Sequence, residues 1–485
     1  MKPELTEILT IFEQINLIPR CSKNEYQIAK WLKEWGLQQK FKVLTDDLDN
    51  LVIQVPASLG YETAPVIILQ GHMDMVCEKT PDSDHDFTKD PIRFVYDGDW
   101  LKADKTTLGA DNGIAIALAM VIALSRENKD NKNGHPPLEL LFTVDEETGL
   151  TGAANLKSDF LKGRILINID SEDEGVFTVG CAGGNEIRIS LPLTFSPLDA
   201  DQKLFQIKAC GMQGGHSGID INKQRANANQ ILARCLAEIG LITDFCLLEL
   251  KGGTTHNAIP RDAKALIACH AGQKSKLEKT VKDLHNIIIN EFKKIEPSIS
   301  LEIKEQSFDN NKLQAASILD SKKVVQLLRA LPHGVATRFA ENVETSNNLA
   351  IVEIKKKHLE ILSSQRSFSM SRLADISSRI KAIGYLAGAS VSQGNHYAAW
   401  RPDLNSQLLK QCQKVYKTLF KKDPRVEIIH AGLECGVIGA KYPGMEMISI
   451  GPTIKNPHSP DESLFIPSVA KIMEFLKALL ASYQP

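Results

Sequence analysis

The sequence predicts an α/β protein with a central, mostly parallel sheet, interrupted by an inserted α+β domain. Three observations predict it. Several hydrophobic runs of strand length each end in a side chain able to bind metal, the texture of the chain changes near residue 185, and the first texture returns after residue 400. Buried parallel strands read as continuous apolar runs, and open α/β sheets place their sites just beyond the carboxyl ends of such strands.

In chain order, the apolar run 66–70 leads into Gly71, His72, Met73 and Asp74. Residues 109–124 predict a helix apolar on nearly all sides, hence buried against the sheet. Asp111 sits at its entrance, where exposed N–H groups and the helix dipole favour a carboxylate. The stretch 128–137 reads as an exposed polar loop. Run 138–144 leads into Asp145, Glu146 and Glu147, and run 165–169 into Asp170. Beyond residue 185, shorter alternating strands (204–209, 264–270, 349–354) stand among amphipathic, charge-rich helices (223–239, 276–292). A strand, helix, strand, strand, helix pattern occurs about twice there, which predicts two similar halves. After Trp400, Arg401 and Pro402 the buried strands return at 426–429 and 447–450. The second of these leads to a loop carrying His458, and a last helix spans 468–480. The expected organisation is therefore a discontinuous domain of residues 1–186 and 398–485, with 187–397 inserted and hinges near 185–187 and 397–400.

Length and composition agree with a multi-domain globular protein: 485 residues, 43% hydrophobic and 24% charged. A net charge of −2 gives no long-range field, so neither a nucleic-acid nor a membrane partner is expected. The first twenty residues interleave Lys2, Glu4, Glu7 and Glu13 with apolar positions, unlike a secretory signal, and no run reaches the ~18 apolar residues of a membrane span. Nine scattered cysteines without a Cys-x-x-Cys pair read as buried, reduced thiols of a cytoplasmic protein.

The candidate site gathers at the strand ends. In an extended segment His72 and Asp74 point the same way, and a metal-bound imidazole needs a carboxylate to fix its tautomer. By itself His-x-Asp also fits a histidine satisfied in an ordinary core. Asp145, Glu146 and Glu147 fit a solvated acidic turn, but two adjacent carboxyls can also divide labour, one binding metal and the other moving protons. Asp170 is the first acid after its strand. Asp111 is preferred over Asp104 because Gly109 and Gly113 leave the backbone room for close approach. His458, between Pro457 and Pro460, sits on a stiff loop. Two histidines and three carboxylates suit zinc, and also cobalt or manganese. With one carboxylate shared they furnish two divalent metal ions about 3.5–4 Å apart.

Six stretches carry a family resemblance: 70–76 (QGHMDMV), 108–113 (LGADNG), 145–149 (DEETG), 214–218 (GGHSG), 257–261 (NAIPR) and 430–436 (HAGLECG). In order and context they resemble the metallo-aminoacylase and dipeptidase superfamily that includes carboxypeptidase G and carnosinase. Within it they are most similar to the aminoacyl-histidine (Xaa-His) dipeptidase group, along essentially the whole chain. The resemblance implies a zinc-peptidase-like catalytic domain with an inserted lid. It implies that His72 and Asp170 bind one metal, that Glu147 and His458 bind the other, and that Asp111 bridges them through a cis Asp111–Asn112 peptide. Glu146 becomes the general base and Asp74 the residue that orients His72. In the lid, His216 steadies the oxyanion, while Asn257 and Arg366 bind substrate; the surroundings of Arg366 match the pattern only loosely.

The function so implied is hydrolysis of unblocked dipeptides, preferring Xaa-His such as carnosine. An N-acyl-amino-acid hydrolase or aminotripeptidase of the same superfamily is the alternative, although the long insertion favours the dipeptidase. A silent metal- or peptide-binding protein would have no use for Glu146. A homodimer through the lid is a further expectation.

Overall fold

The computed structural model describes residues 3–125, 134–199, 201–307 and 313–484. The chain divides into two compact units. One comprises Met1–Cys181, Trp400–Ile428 and Leu433–Pro485, the other Ala182–Ala399 and Ile429–Gly432.

The first unit opens with helices α1 (Pro3–Asn16) and α2 (Tyr26–Gln38). Ile8, Phe12 and Ile15 recur at helical spacing and are fully buried, so α1 presents one apolar stripe to the core. Strands β1 (Lys42–Thr45) and β2 (Leu51–Val55) precede β3 (Ile67–His72), which is buried at every position. Helix α3 (Ala110–Leu124) is buried from Asn112 through Ala123, as its apolar sequence predicts. β4 (Leu138–Thr143), β5 (Ile165–Asn168) and β6 (Val176–Cys181) complete this part. Of the stretch read as an exposed loop, residues 128–133 lie outside the described residues. Gly134 to Pro136 are buried instead, where the Ser58 N–H donates to the His135 carbonyl and the His135 N–H donates to the Ser58 hydroxyl.

The second unit is built on an antiparallel sheet. Its strands are β7 (Gly183–Pro192), β8 (Gln202–Cys210), β9 (Cys246–Gly252), β10 (Ala263–His270), β11 (Ser300–Gln306), β12 (Asn342–Lys355), β13 (His358–Ser367) and β14 (Ser390–Tyr397). Between them run α4 (Ala228–Ile242), α5 (Lys274–Phe292), α6 (Ile318–Ala330) and α7 (Met370–Leu386). The strand order is β11-β8-β10-β9-β12-β13-β7-β14, with Gly334–Phe339 pairing with β12. Two copies of one arrangement meet edge to edge at β9 and β12. The copy β8-α4-β9-β10-α5-β11 lies, in the chain, between β7 and α6 of the other. The repeat is thus nested rather than sequential. Periodicity along the chain cannot show this, because which strand joins which sheet position is a non-local pairing.

The chain then returns through α8 (Gln407–Phe420), β15 (Arg425–Ile429), α9 (Glu434–Lys441), β16 (Glu446–Ser449) and α10 (Ile466–Ala481). The sheet of the first unit has the order β1-β2-β4-β3-β5-β16-β6-β15. Its four central strands, β4, β3, β5 and β16, are parallel, and the pairs β1–β2, β2–β4 and β16–β6 are antiparallel. All four carboxyl ends therefore open on one edge, and these are the ends from which His72, Asp145 to Glu147, Asp170 and the His458 loop emerge.

The cysteine expectation needs correction. Cys21 and Cys77 form a disulfide, with Cα atoms 5.7 Å apart. The loop after α1 runs beside the segment after β3, where the Met75 N–H donates to the Arg20 carbonyl at 3.1 Å. Spacing rules missed the pair because its members belong to different elements. The other seven cysteines are free, and Cys210 and Cys246 among them are partly exposed. Thiol titration of the denatured protein should count seven groups without reductant and nine after it; nine without reductant would refute the pairing.

Candidate metal centre

His72 is the last residue of β3, and its side chain is 2% exposed. Its Nε2 lies 3.1 Å from Asp111 Oδ1 and 3.4 Å from Asp170 Oδ1. His458, whose side chain is half exposed, places Nε2 3.1 Å from Asp111 Oδ2 and 3.0 Å from Glu147 Oε2. Two donor groups result, His72/Asp111/Asp170 and Asp111/Glu147/His458, and Asp111 belongs to both, one oxygen to each. The Asp111–Asn112 peptide is cis, as the resemblance implies.

Asp74 does more than the sequence suggested. Fully buried, it places Oδ1 3.3 Å from His72 Nδ1 and also accepts the Glu146 and Glu147 N–H groups at 3.0 and 3.2 Å and the Ser22 hydroxyl at 2.8 Å. Asp74 thus meets the imidazole Nδ1 with its backbone carbonyl, at 3.1 Å, as well as its carboxylate, and the carboxylate holds the turn that carries two acids. Of the three acids after β4, Asp145 is engaged by the Thr148 and Thr151 hydroxyls, leaving Glu146 and Glu147 beside His72.

The electrostatics are those of carboxyls and imidazoles crowded into one buried site. Burial alone would depress both imidazoles. Asp170, Asp111 and Asp74 nevertheless raise His72 well above its ordinary value, and Asp111 and Glu147 raise His458 to about 11. Burial raises Glu146, and Asp170, Glu147 and Glu434 add to it against the opposing His72. Burial likewise raises Glu147 and Asp170. Glu147 Oε1 is buried without a hydrogen-bond partner among the described residues, and the equally buried Asp170 Oδ1 faces His72 Nε2 at 3.4 Å. Unpaired buried carboxylate oxygens are costly unless a cation meets them. The donor set therefore fits two divalent ions.

Two residues that sequence reasoning passed over hold this arrangement. Glu462, four residues after His458 and 2% exposed, accepts the N–H groups of Leu108, Gly109, Ala110 and Asp111 at 2.8, 3.0, 2.8 and 3.2 Å. Arg20, 1% exposed, donates to the carbonyls of Met73, Asp74 and Gly109 and to Asn16 Oδ1. Burial pulls Arg20 down to about 10, against Glu462 and Asp74, so it stays cationic at neutral pH. A Cβ at Gly109 or Gly113 would strike the Arg20 guanidinium. The glycines flanking Asp111 therefore make room for Arg20. Four N–H groups converging on one buried carboxyl fix the loop that leads into Asp111, so the main effect of Glu462 is geometric.

In the second unit, His216 lies in a two-residue strand whose partner puts it opposite Ala258, next to Asn257. Its Nδ1 accepts the Gly218 and Ile219 N–H groups, at 3.3 and 3.1 Å. Arg366, on β13 and 7% exposed, donates to the Tyr397 hydroxyl at 2.9 Å, and its Nε is buried without a partner among the described residues. Its register partner on β12 is Ser346, whose hydroxyl is 2.8 Å from His430 Nε2. His430 was not anticipated; only its place in the 430–436 motif pointed to it.

Fold and donor set together define a metal-dependent hydrolase. The chain belongs to peptidase family M20/M25/M40, whose pattern it matches over residues 68–482, and is a metallopeptidase. It is 41% identical over 474 residues to the cytosol non-specific dipeptidase of Escherichia coli, covering 97% of this chain and 96% of that one. The crystal structure of aminoacylhistidine dipeptidase from Vibrio alginolyticus superposes with a TM-score of 0.89 at 37% identity, covering 99% and 97% of the two chains. Aminopeptidase PepT from Bacillus cereus shares the fold, with a TM-score of 0.59 at 15% identity and coverage of 99% of each chain.

Two predictions follow from these contacts. Glu462→Ala should weaken metal binding about 10–100-fold, measured by competition with a chromophoric chelator, because the Asp111 loop loses its anchor; unchanged affinity would remove Glu462 from this role. Burial, together with the nearby Arg366 guanidinium, lowers His430 to about 3. Below its unfolded value of about 6.5 the unfolded chain binds the extra proton, so stability present above that pH is lost as pH falls towards 3, by up to about 1.4 kcal/mol per pH unit. Urea unfolding at pH 7 and pH 5 should show a smaller loss in His430→Gln than in the parent protein.

Proposed function

We propose that this protein hydrolyses unblocked dipeptides, with Xaa-His substrates such as β-alanyl-histidine favoured. The observation that carries the reading is the pair of donor groups sharing Asp111, with the carboxyl of Glu146 beside His72. In this reading His72 and Asp170 hold one ion, Glu147 and His458 the other, and Asp111 both, with zinc the first candidate and cobalt or manganese accepted by the same donors. Bound there, the ions supply Lewis acidity and lower the pKa of water towards about 7. Glu146 takes the proton of the attacking water and returns it to the leaving amine, a task suited to a carboxyl that burial pushes up. Asp74 keeps His72 in the tautomer that presents Nε2. His216 donates to the developing oxyanion, and Asn257 and Arg366 bind substrate, the guanidinium gripping the terminal carboxylate.

The relatives support the dipeptide reading by name, one as a non-specific dipeptidase and one as an aminoacylhistidine dipeptidase. The preference for histidine rests on the second of these and on the sequence motifs. A cytoplasmic location is consistent with the name of the Escherichia coli relative, and no described helix is long and apolar enough to cross a membrane. A homodimer through the lid unit belongs to the same proposal. Leu241, Leu319 and Leu386, which are 81%, 71% and 90% exposed there, are apolar surface that a second copy would cover.

Histidine release from β-alanyl-histidine and glycyl-histidine should be chelator-sensitive and absent with their N-acetylated forms, with glycyl-leucine cleaved more slowly. Cleavage of the blocked peptides alone would make the protein an acylase, preference for tripeptides an aminotripeptidase, and no cleavage after metal reloading a binding protein. Glu146→Gln should lower kcat about 10²–10⁴-fold while bound metal, measured by atomic absorption, stays at two ions. His216→Ala should cost about 10²–10³ in kcat.

A further inference from the structure

A buried parallel sheet is ordinarily apolar throughout its centre. This one carries a polar layer immediately beneath the metal donors. Gln70 lies two residues before His72 on β3, and Asn168 two before Asp170, so each points to the same face as the donor above it. The two are register partners across β3 and β5, and Thr143 is the register partner of His72 on β4. Into this layer reaches Glu434, the first residue of α9, with no exposed surface. One of its oxygens, Oε2, accepts both the Gln70 amide N–H and the Thr143 hydroxyl, the latter at 2.8 Å. The Gln70 carbonyl in turn accepts the Asn168 amide at 2.6 Å. With Oε2 accepting both groups, Glu434 dictates which way the Gln70 side-chain amide faces, and Gln70 Oε1 then dictates the orientation of Asn168.

Glu434 Oε1 has no hydrogen-bond partner among the described residues. An apolar side chain of similar volume would fill the space without that desolvation cost, so packing stability does not account for the residue. We propose that Glu434 is a positioning residue for the hydrolytic site. Through Gln70 and Thr143 it fixes the carboxyl ends of β3 and β4, and with them His72 and the turn of Glu146 and Glu147. The inference rests on the two-metal reading above and concerns how its donors are held.

Glu434→Gln and Glu434→Ala separate the possibilities, with Thr143→Val as a variant that leaves the carboxylate in place. A glutamine carbonyl can still accept both hydrogen bonds, so Glu434→Gln should rescue most of what Glu434→Ala loses. Glu434→Ala and Thr143→Val should each weaken metal binding in chelator competition by about 10-fold or more and lower kcat by about 10–100-fold, with KM within about twofold. Parent-like metal affinity and kcat in both, with only the melting temperature reduced, would overturn the proposal. So would a Glu434→Gln variant as impaired as Glu434→Ala with a displaced pH profile, which would assign the effect to charge. If Glu434→Ala does not fold, Thr143→Val decides by the same two readouts. Should the parent protein cleave no dipeptide, the functional reading fails, while chelator competition still tests whether Glu434 holds the donors.

Discussion

Asp111 stands between two imidazoles, one carboxylate oxygen 3.1 Å from His72 and the other 3.1 Å from His458. The rest of the first unit is arranged around that contact. Five metal-capable donors at one sheet edge bring several carboxylates into a space from which water is largely excluded, and like charges there repel strongly unless cations or protons intervene. The raised Glu146, Glu147 and Asp170 and the raised imidazoles are two sides of the same crowding. Such a cluster does not assemble for stability; its surroundings must impose it.

Those surroundings are unusually polar for the centre of an α/β sheet. Glu462 gathers four consecutive backbone N–H groups ahead of Asp111. Arg20 ties the segment after β3 to the same loop, and Asp74 ties His72 to the turn of Glu146 and Glu147. Each of these side chains is buried and each is engaged by groups from elements far apart in sequence. Supporting contacts of this sort set metal affinity and ligand orientation as much as the ligands do. The Cys21–Cys77 disulfide closes the loop that presents Arg20 and Ser22 against the segment carrying Asp74, so the N-terminal helix pair belongs to the site's scaffold.

The second unit is built differently. Its antiparallel sheet holds the two copies of one arrangement through β9 and β12, and its polar groups sit within strands as well as beyond their ends. His216 is fixed by a two-residue strand pairing and by N–H donors to its Nδ1, Arg366 by Tyr397, and His430 by Ser346. The segment Ile429–Gly432, which contains His430, is counted with this unit although the chain on either side belongs to the other. Glu434, counted with the first unit, follows His430 by only four residues in the chain.

The sequence by itself determined the α/β class, the strands that end at the site and the buried helix after Asp111, because hydrophobic runs and their terminating polar residues are local properties of the chain. Strand ends of one parallel sheet open on one edge, which singled out His72, Asp170 and the acids after β4 as candidates, while Asp111 was read from the helix entrance and the choice of Glu147 as a ligand came with the family resemblance. Tertiary structure alone decided the rest. Which oxygen of Asp111 faces which imidazole, the engagement of Asp145 by threonines, the nesting of the repeat and the Cys21–Cys77 pair all depend on contacts between distant segments. The supporting residues were hidden for the same reason. Arg20, Glu434 and Glu462 lie respectively 54, 288 and 351 positions from Asp74, Glu146 and Asp111, the residues they support or adjoin, and nothing in their local sequence marks a buried charge until the fold surrounds it.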